Sequence, residues 1–186
     1  MKIIKADFET QASVHLEGRD IYFFGGVFAI SAMQIIHYIH TLEKEAKKPI
    51  RIFLNCEGGN ISDGFAIYDA LTQSKCHITT IGIGVIESMG IIIFLAGKER
   101  YCYPNCRFMY HESIQEYMEG ESKNTSNSKR EVAESDNLDN LCNAIVAEKT
   151  KFTSQEIAKL IQPGNFYFGA DEAIKNGFVH KIIKEK

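Results

Sequence analysis

Short β-rich runs occupy residues 21–24, 50–54 and 78–83, and helical periodicity fills the spaces between them. The runs predict buried strands, because a strand covered on both faces has no polar side to show. Ile35, Ile36, Ile39 and Leu42 share one helical face, with Ser31 as the expected N-cap and Pro49 marking the end. Phe65, Tyr68 and Leu71 predict a helix over 62–72, and 88–96 reads as an apolar helix. The order is β-α-β-α-β-α. It predicts parallel strands joined by right-handed crossovers, with sites at the strands' carboxyl ends. Downstream, 107–110 reads as a strand, and a long charged helix from about 129 to 151 carries Val132, Leu138, Leu141, Ile145 and Val146. A capping box at Thr153-Ser-Gln-Glu156 opens a short helix, 170–176 forms another stopped by Gly177, and 178–183 reads as a closing strand. The polar run 119–131 has nothing to bury and is predicted to be a mobile loop.

Composition narrows the class. The 186 residues, 45% of them hydrophobic, suit one domain over 1–186 and exclude a disordered chain. A net charge of -3 gives no basic surplus for nucleic acid or anionic lipid. The apolar run 89–96 is far short of the roughly 20 residues a membrane span needs. Residues 1–7 lack the apolar core of a signal peptide, so a cytoplasmic location is expected. The five cysteines read as core and surface thiols; Cys102 and Cys106 lie near His111, yet no second Cys/His pair follows at zinc spacing. Neither a metal nor a cofactor is expected.

Three segments could carry chemistry. Asn55-Cys-Glu-Gly-Gly-Asn60 follows a strand and precedes a helix; its glycines would let a ligand approach the backbone, or simply make a tight turn. Ser88, in Glu87-Ser-Met-Gly90, stands at a helix N-terminus where backbone N–H groups favour negative charge, and it also reads as an ordinary N-cap. His111 follows Arg107-Phe-Met-Tyr110 at a strand end, where a neutral imidazole could accept a proton; the alternative is a surface histidine.

Together these segments resemble the ClpP family of serine peptidases. The resemblance rests on the order Gly58-Gly59, Ile67-Tyr68-Asp69, Ser88-Met89-Gly90, Pro104-Asn105-Cys-Arg107-Phe-Met-Tyr-His111, Phe166, and Gly169-Ala-Asp-Glu172-Ala173 through Gly177. It runs from about 21 to 183. It implies an α/β fold, the ClpP/crotonase spiral of ββα units, as a single domain with a protruding long helix, the loop and handle occupying about 112–151. It also implies Ser88 as nucleophile, His111 as base, and the amides of Gly59 and Met89 as an oxyanion hole. Asn165 falls where the family's triad has aspartate. An Asn carbonyl can orient an imidazole but supplies no charge, and in one serine protease that exchange costs about 10⁴ in turnover. The substrate, a peptide or unfolded protein, would lie as an added strand beside Gly58, Asn60, Ile61, Glu112, Ser113 and Ile114. The implied assembly is a homo-oligomer of stacked rings, with an ATP-driven unfoldase as the family's partner.

The chain departs from the family pattern in four further places. Glu57 replaces a proline, Glu87 a small residue, and the segment after His111 lacks the usual Gln-Pro and Gly-Gly. The N-terminal segment 1–20 is short, which bears on unfoldase docking. Three alternatives accompany the peptidase reading: a catalytically weak or inactive ring subunit, a phage-type processing protease of the same fold, and an acyl-CoA enzyme of the crotonase type. Ser88 together with His111 argues against the last.

Overall fold

The computed structural model describes residues 12–113, 125–162 and 164–184, with side chains from residue 130 in the long helix. Strands β1 (Ser13–Glu17) and β2 (Asp20–Val27) form an antiparallel hairpin. Helix α1 (Ala29–Glu45) then leads into β3 (Ile50–Gly59), α2 (Ile61–Gln73) into β4 (Ile78–Glu87), and α3 (Met89–Leu95) into β5 (Glu99–Cys102). The pairs β2–β3, β3–β4 and β4–β5 are all parallel, as the alternation predicts. After β6 (Arg107–Tyr110) come the long α4 (Thr125–Lys149), α5 (Ser154–Ile161), β7 (Phe166–Gly169), α6 (Ala170–Lys175) and β8 (Lys181–Ile182).

The sheet forks along β4. Its first half, Thr79 to Gly82, pairs with β5, and its second half, Val85 to Glu87, pairs with β6. The bend between them falls at Gly84, whose φ of 69° is the left-handed region; a Cβ there would stand 2.6 Å from Asn55 Oδ1. That oxygen accepts the Val85 N–H at 2.9 Å, so the side chain of Asn55 fills the gap where the β3–β4 register slips between Leu54 and Cys56. The second half of β4 is thereby turned toward β6.

Every residue of α3 is buried, which is why this short helix carries no polar face. Thr80, fully buried on β4, donates its hydroxyl to Phe94 O at 2.7 Å and pins the end of α3 to the sheet. Under β6 and β7 the cross-strand pair Phe108–Phe168 stacks at 5.2 Å, flanked by Phe94, Phe166 and Phe178. Arg100 closes the opposite end. It is 6% exposed, and its guanidinium donates to the carbonyls of Phe178, Gly97, Lys149 and Gly177 at 2.8–3.4 Å. It thereby fastens the last turn of α4 to the sheet; burial lowers its pKa, and the four acceptors keep the charge satisfied.

Several expectations are corrected. Ser31 is not the N-cap of α1: Phe28 is, because the helix starts three residues earlier than expected, and Ser31 Oγ accepts the Phe28 N–H at 2.9 Å from inside the first turn. Ile36 is only half buried, while Ile35, Ile39 and Leu42 face the core. Residues 55–59 continue β3 rather than forming a turn, and β4 runs on to Glu87, because both segments keep a strand partner. The closing strand shrinks to Lys181–Ile182. Of the polar run 119–131, the part from Thr125 is helical and the rest lies outside the described residues. All five cysteines are buried, none at the surface, and burial pushes the Cys102 thiol up to about 11 and those of Cys56, Cys106 and Cys142 up to about 12. The capping box stands as expected, with Glu156 N–H to Thr153 Oγ1 at 3.2 Å and Thr153 N–H to Glu156 Oε2 at 2.8 Å. Among the described residues no helix is long and apolar enough to cross a membrane.

Replacing Arg100 by methionine would keep the volume and strand four carbonyls. We expect Arg100→Met to cost about 3 kcal/mol of unfolding free energy, read as a lower urea midpoint with an unchanged slope.

Candidate active site

The β4–β6 pair brings the sequence-predicted nucleophile and base together. Glu87 stands level with Met109, and the Ser88 N–H donates to Met109 O at 2.8 Å, which is the last rung of that ladder. His111 lies two residues beyond Met109 on the adjacent strand's exit. Neighbouring strands run about 4.8 Å apart, so Ser88 and His111 occupy adjacent carboxyl ends. Both line one pocket, with Ile61, Met89, Ile92, Tyr110, Ser113, Asp139 and Cys142.

Ser88 takes φ 52° and ψ -123°, the single positive φ outside glycine among the described residues. Such a conformation costs on the order of 1–3 kcal/mol and persists only where neighbours hold it. Here the Met109 carbonyl grips its N–H, and its own carbonyl accepts the Ile91 N–H at 3.0 Å. Its side chain caps nothing, so the N-cap alternative does not account for this serine. Among the described residues no hydrogen bond joins Ser88 to His111 or reaches the His111 ring.

Gly58 is required by close approach. At φ 91° a Cβ would sit 2.6 Å from Ser88 Cβ and 3.0 Å from Met89 N. The end of β3 thus lies flat against the Ser88–Met89 turn, and Gly59 follows at its exposed tip.

The other sequence-predicted residues divide. Ile61 and Ser113 reach the pocket and Gly58 borders it. Asn60 is spent on the fold: its Oδ1 caps α2 by accepting Asp63 N–H at 3.0 Å, and its own N–H goes to Val27 O at 2.9 Å. Glu112 is exposed, and Ile114 lies outside the described residues. Asn165 is exposed and donates its amide to Tyr167 Oη at 3.0 Å, away from the pocket lining. Sequence reasoning missed Asp139 and Cys142, since nothing local marks a residue of a charged helix as facing a strand end, and it gave Tyr110 and Ile92 no site role, since both read as ordinary core positions of a strand and an apolar helix.

Two of the departures meet in space. Glu87 is half buried, and desolvation first, then the nearby Glu57 carboxylate, raises its pKa above the ordinary range.

Comparison with known proteins decides what this arrangement belongs to. The family model described as Clp protease matches residues 5–186. The chain belongs to the Clp protease family. It is 30% identical to the ATP-dependent Clp protease proteolytic subunit of Carsonella ruddii over 188 aligned residues, covering 100% of this chain and 94% of that one. It is 31% identical to proteolytic subunit 2 of the same protease from Pseudomonas aeruginosa, covering 90% and 82%. Among solved structures, the ClpP1 N165D mutant from Listeria monocytogenes superposes with a TM-score of 0.81 at 26% identity, covering 90% of this chain and 92% of that one. The protein is accordingly a serine peptidase of the ClpP type, built on the ClpP α/β fold.

Burial of Glu87, with the Glu57 carboxylate adding to it, makes the stability of this Clp protease chain depend on pH in a defined direction. A carboxyl whose folded pKa is raised takes up a proton on folding, so its contribution to stability falls as pH rises from about 4.5 through the folded value. Glu87→Gln should therefore melt about 1–2 °C higher than wild type at pH 7, a modest gain because solvent screens a half-exposed group. Calorimetry at pH 4 should show the difference shrinking toward zero.

Proposed function

We propose that this Clp-family chain cleaves peptide bonds through an acyl-enzyme on Ser88. The observation that carries the reading is that Ser88 and His111 leave adjacent parallel strands into one pocket. In this mechanism the Ser88 oxygen attacks the substrate carbonyl carbon as His111 takes the hydroxyl proton. The carbonyl π electrons move onto oxygen, and the N–H groups of Gly59 and Met89 stabilise that oxyanion. The tight contact of Gly58 with Ser88 and the Met89 amide supports the pairing of those two donors. Collapse of the tetrahedral adduct breaks the C–N bond, and His111 returns its proton to the leaving amine. Water then repeats the sequence on the ester, releasing the acid and restoring Ser88.

The substrate is a peptide or unfolded segment laid as an extra strand along Gly58–Ile61 and the residues after His111, so backbone pairing supplies most of the affinity. Asn165 is the orienting partner of His111, accepting from its Nδ1–H after giving up Tyr167. That exchange, and the absent charge, favour a slower enzyme than a Ser-His-Asp triad would make. The subunits assemble as stacked rings in the cytoplasm; the word "subunit" in the relatives' names favours an oligomer, and the words "ATP-dependent" favour an unfoldase partner. The exposed Val132 and Leu141 on α4 suit burial between subunits.

Ser88→Ala should abolish fluorophosphonate labelling and lower peptide turnover on the order of 10⁴-fold or more, with the oligomer unchanged by light scattering. Undiminished labelling would overturn the nucleophile. Asn165→Asp, the kind of change carried by the Listeria neighbour, should raise kcat about 10-fold or more with little change in KM, because the added charge acts on the imidazolium of the transition state. Equal kcat in wild type, Asn165→Asp and Asn165→Ala on one fluorogenic peptide would remove Asn165 from the mechanism.

A further inference from the structure

The His111 ring has no hydrogen-bond partner among the described residues, yet the chain is gripped on both sides of it by α4. Before it, the Tyr110 hydroxyl donates to Asn143 Oδ1 at 3.0 Å in a buried setting. After it, Ser113 meets the Asp139 carboxylate twice, its N–H on Oδ1 at 2.9 Å and its hydroxyl on Oδ2 at 3.0 Å. Ser135 Oγ lies 2.6 Å from Ser113 Oγ. An ionised carboxylate only accepts, so the Ser113 hydroxyl points at Asp139 and the Ser135 hydroxyl donates to Ser113. Ser135, Asp139 and Asn143 are spaced four apart and stand one above another on a single helical stripe. The stripe brackets the base.

We propose that Asp139 is a positioning residue for His111: by fixing both donors of Ser113 it sets the backbone of 111–113, and so the placement of the imidazole against Ser88. The Asn143–Tyr110 bond fixes the other end of the same short segment. A charge-assisted pair of bonds is the strongest such tether available to neutral donors, and a loop exit with no strand partner past Tyr110 has no other tie among the described residues. The proposal rests on the reading of His111 as the base.

The test uses the full-length oligomer, a fluorogenic peptide, and fluorophosphonate labelling to count competent Ser88 sites. Per labelled site, Asp139→Ala should lower kcat about 30-fold with KM within twofold, since an ångström of misplacement at a reacting group costs on the order of 10²-fold. Asp139→Asn keeps one acceptor for the Ser113 N–H and should fall between wild type and Asp139→Ala. Ser113→Ala loses only the hydroxyl half and should cost about 5-fold; it also serves if Asp139→Ala fails to assemble. The double variant should be no worse than Asp139→Ala alone, because both act through one latch. A merely structural role would reduce the number of labelled sites and leave turnover per site intact, which overturns the proposal. So does a rise in KM at constant kcat, which would make Asp139 a substrate contact, or losses that multiply in the double variant. Wild type that neither labels nor turns over would instead overturn the reading of Ser88 and His111, and this proposal with it.

Discussion

The parallel pairing of β4 with β6 is the constraint on which the rest depends. Ser88 and His111 are distant from each other in sequence on segments that the sheet could have kept apart, since the first half of β4 already has β5 as its neighbour. The fork frees the second half to accept β6, and the fork exists because Gly84 can bend and Asn55 can satisfy the Val85 N–H that the slipped register would otherwise orphan. Remove that compensation and β4 would either stay on β5 or bury an unpaired donor. The hydrogen bond from Ser88 to Met109 is the far end of the same arrangement, and it carries the strain of a serine at positive φ.

Space for that strained turn is made by small residues on the elements around it. A Cβ on Gly64 of α2 would collide with the Met89 side chain, and one on Gly90 would meet the Cys56 carbonyl at 2.9 Å. Met89 is buried and also lines the pocket, so it ties the turn to the core where the turn borders the site. The apolar character of α3 and the polar task of its first residues are two sides of one placement: a helix with every residue buried is hard to displace.

Much of this was legible in the sequence because it depends on local pattern. The runs at 50–54 and 78–83 announce strands, and Gly58-Gly59, Ser88-Met89-Gly90 and His111, in that order, carry the resemblance to the Clp peptidases. What escaped depends on contacts between segments far apart. Ser31 is a local exception: a serine at the third helical position serves a first-turn donor, the Phe28 N–H, much as a cap serine serves another, so the residue type does not fix which end of the turn it marks. The strand at Phe166–Gly169 is too short to show a period, and it forms because Phe168 stacks on Phe108 across the ladder. Asn165 is named by alignment with a motif, but its engagement with Tyr167 is a surface contact that no spacing reveals. Asp139 reads as one more charge on a solvated helix until the helix is laid across the exit of β6. The loss of proline after His111 gains a physical meaning from the same contact, because only a residue other than proline at 113 can offer the N–H that Asp139 accepts.

The long helix therefore belongs to two parts of the molecule at once. Its last turn is fixed through Lys149 O to Arg100, and its middle is fixed through Asn143, Asp139 and Ser135 to the segment that carries His111. Val132 continues that stripe one turn earlier and is exposed, so the helix there has passed the edge of its own domain, whereas Leu141 is exposed on the opposite face. A helix tied at both points is a fixed strut, and it is its polar stripe, not an apolar one, that meets the segment carrying His111. An apolar contact would hold the helix against that segment equally well, but only directional donor and acceptor pairs fix the register of one along the other.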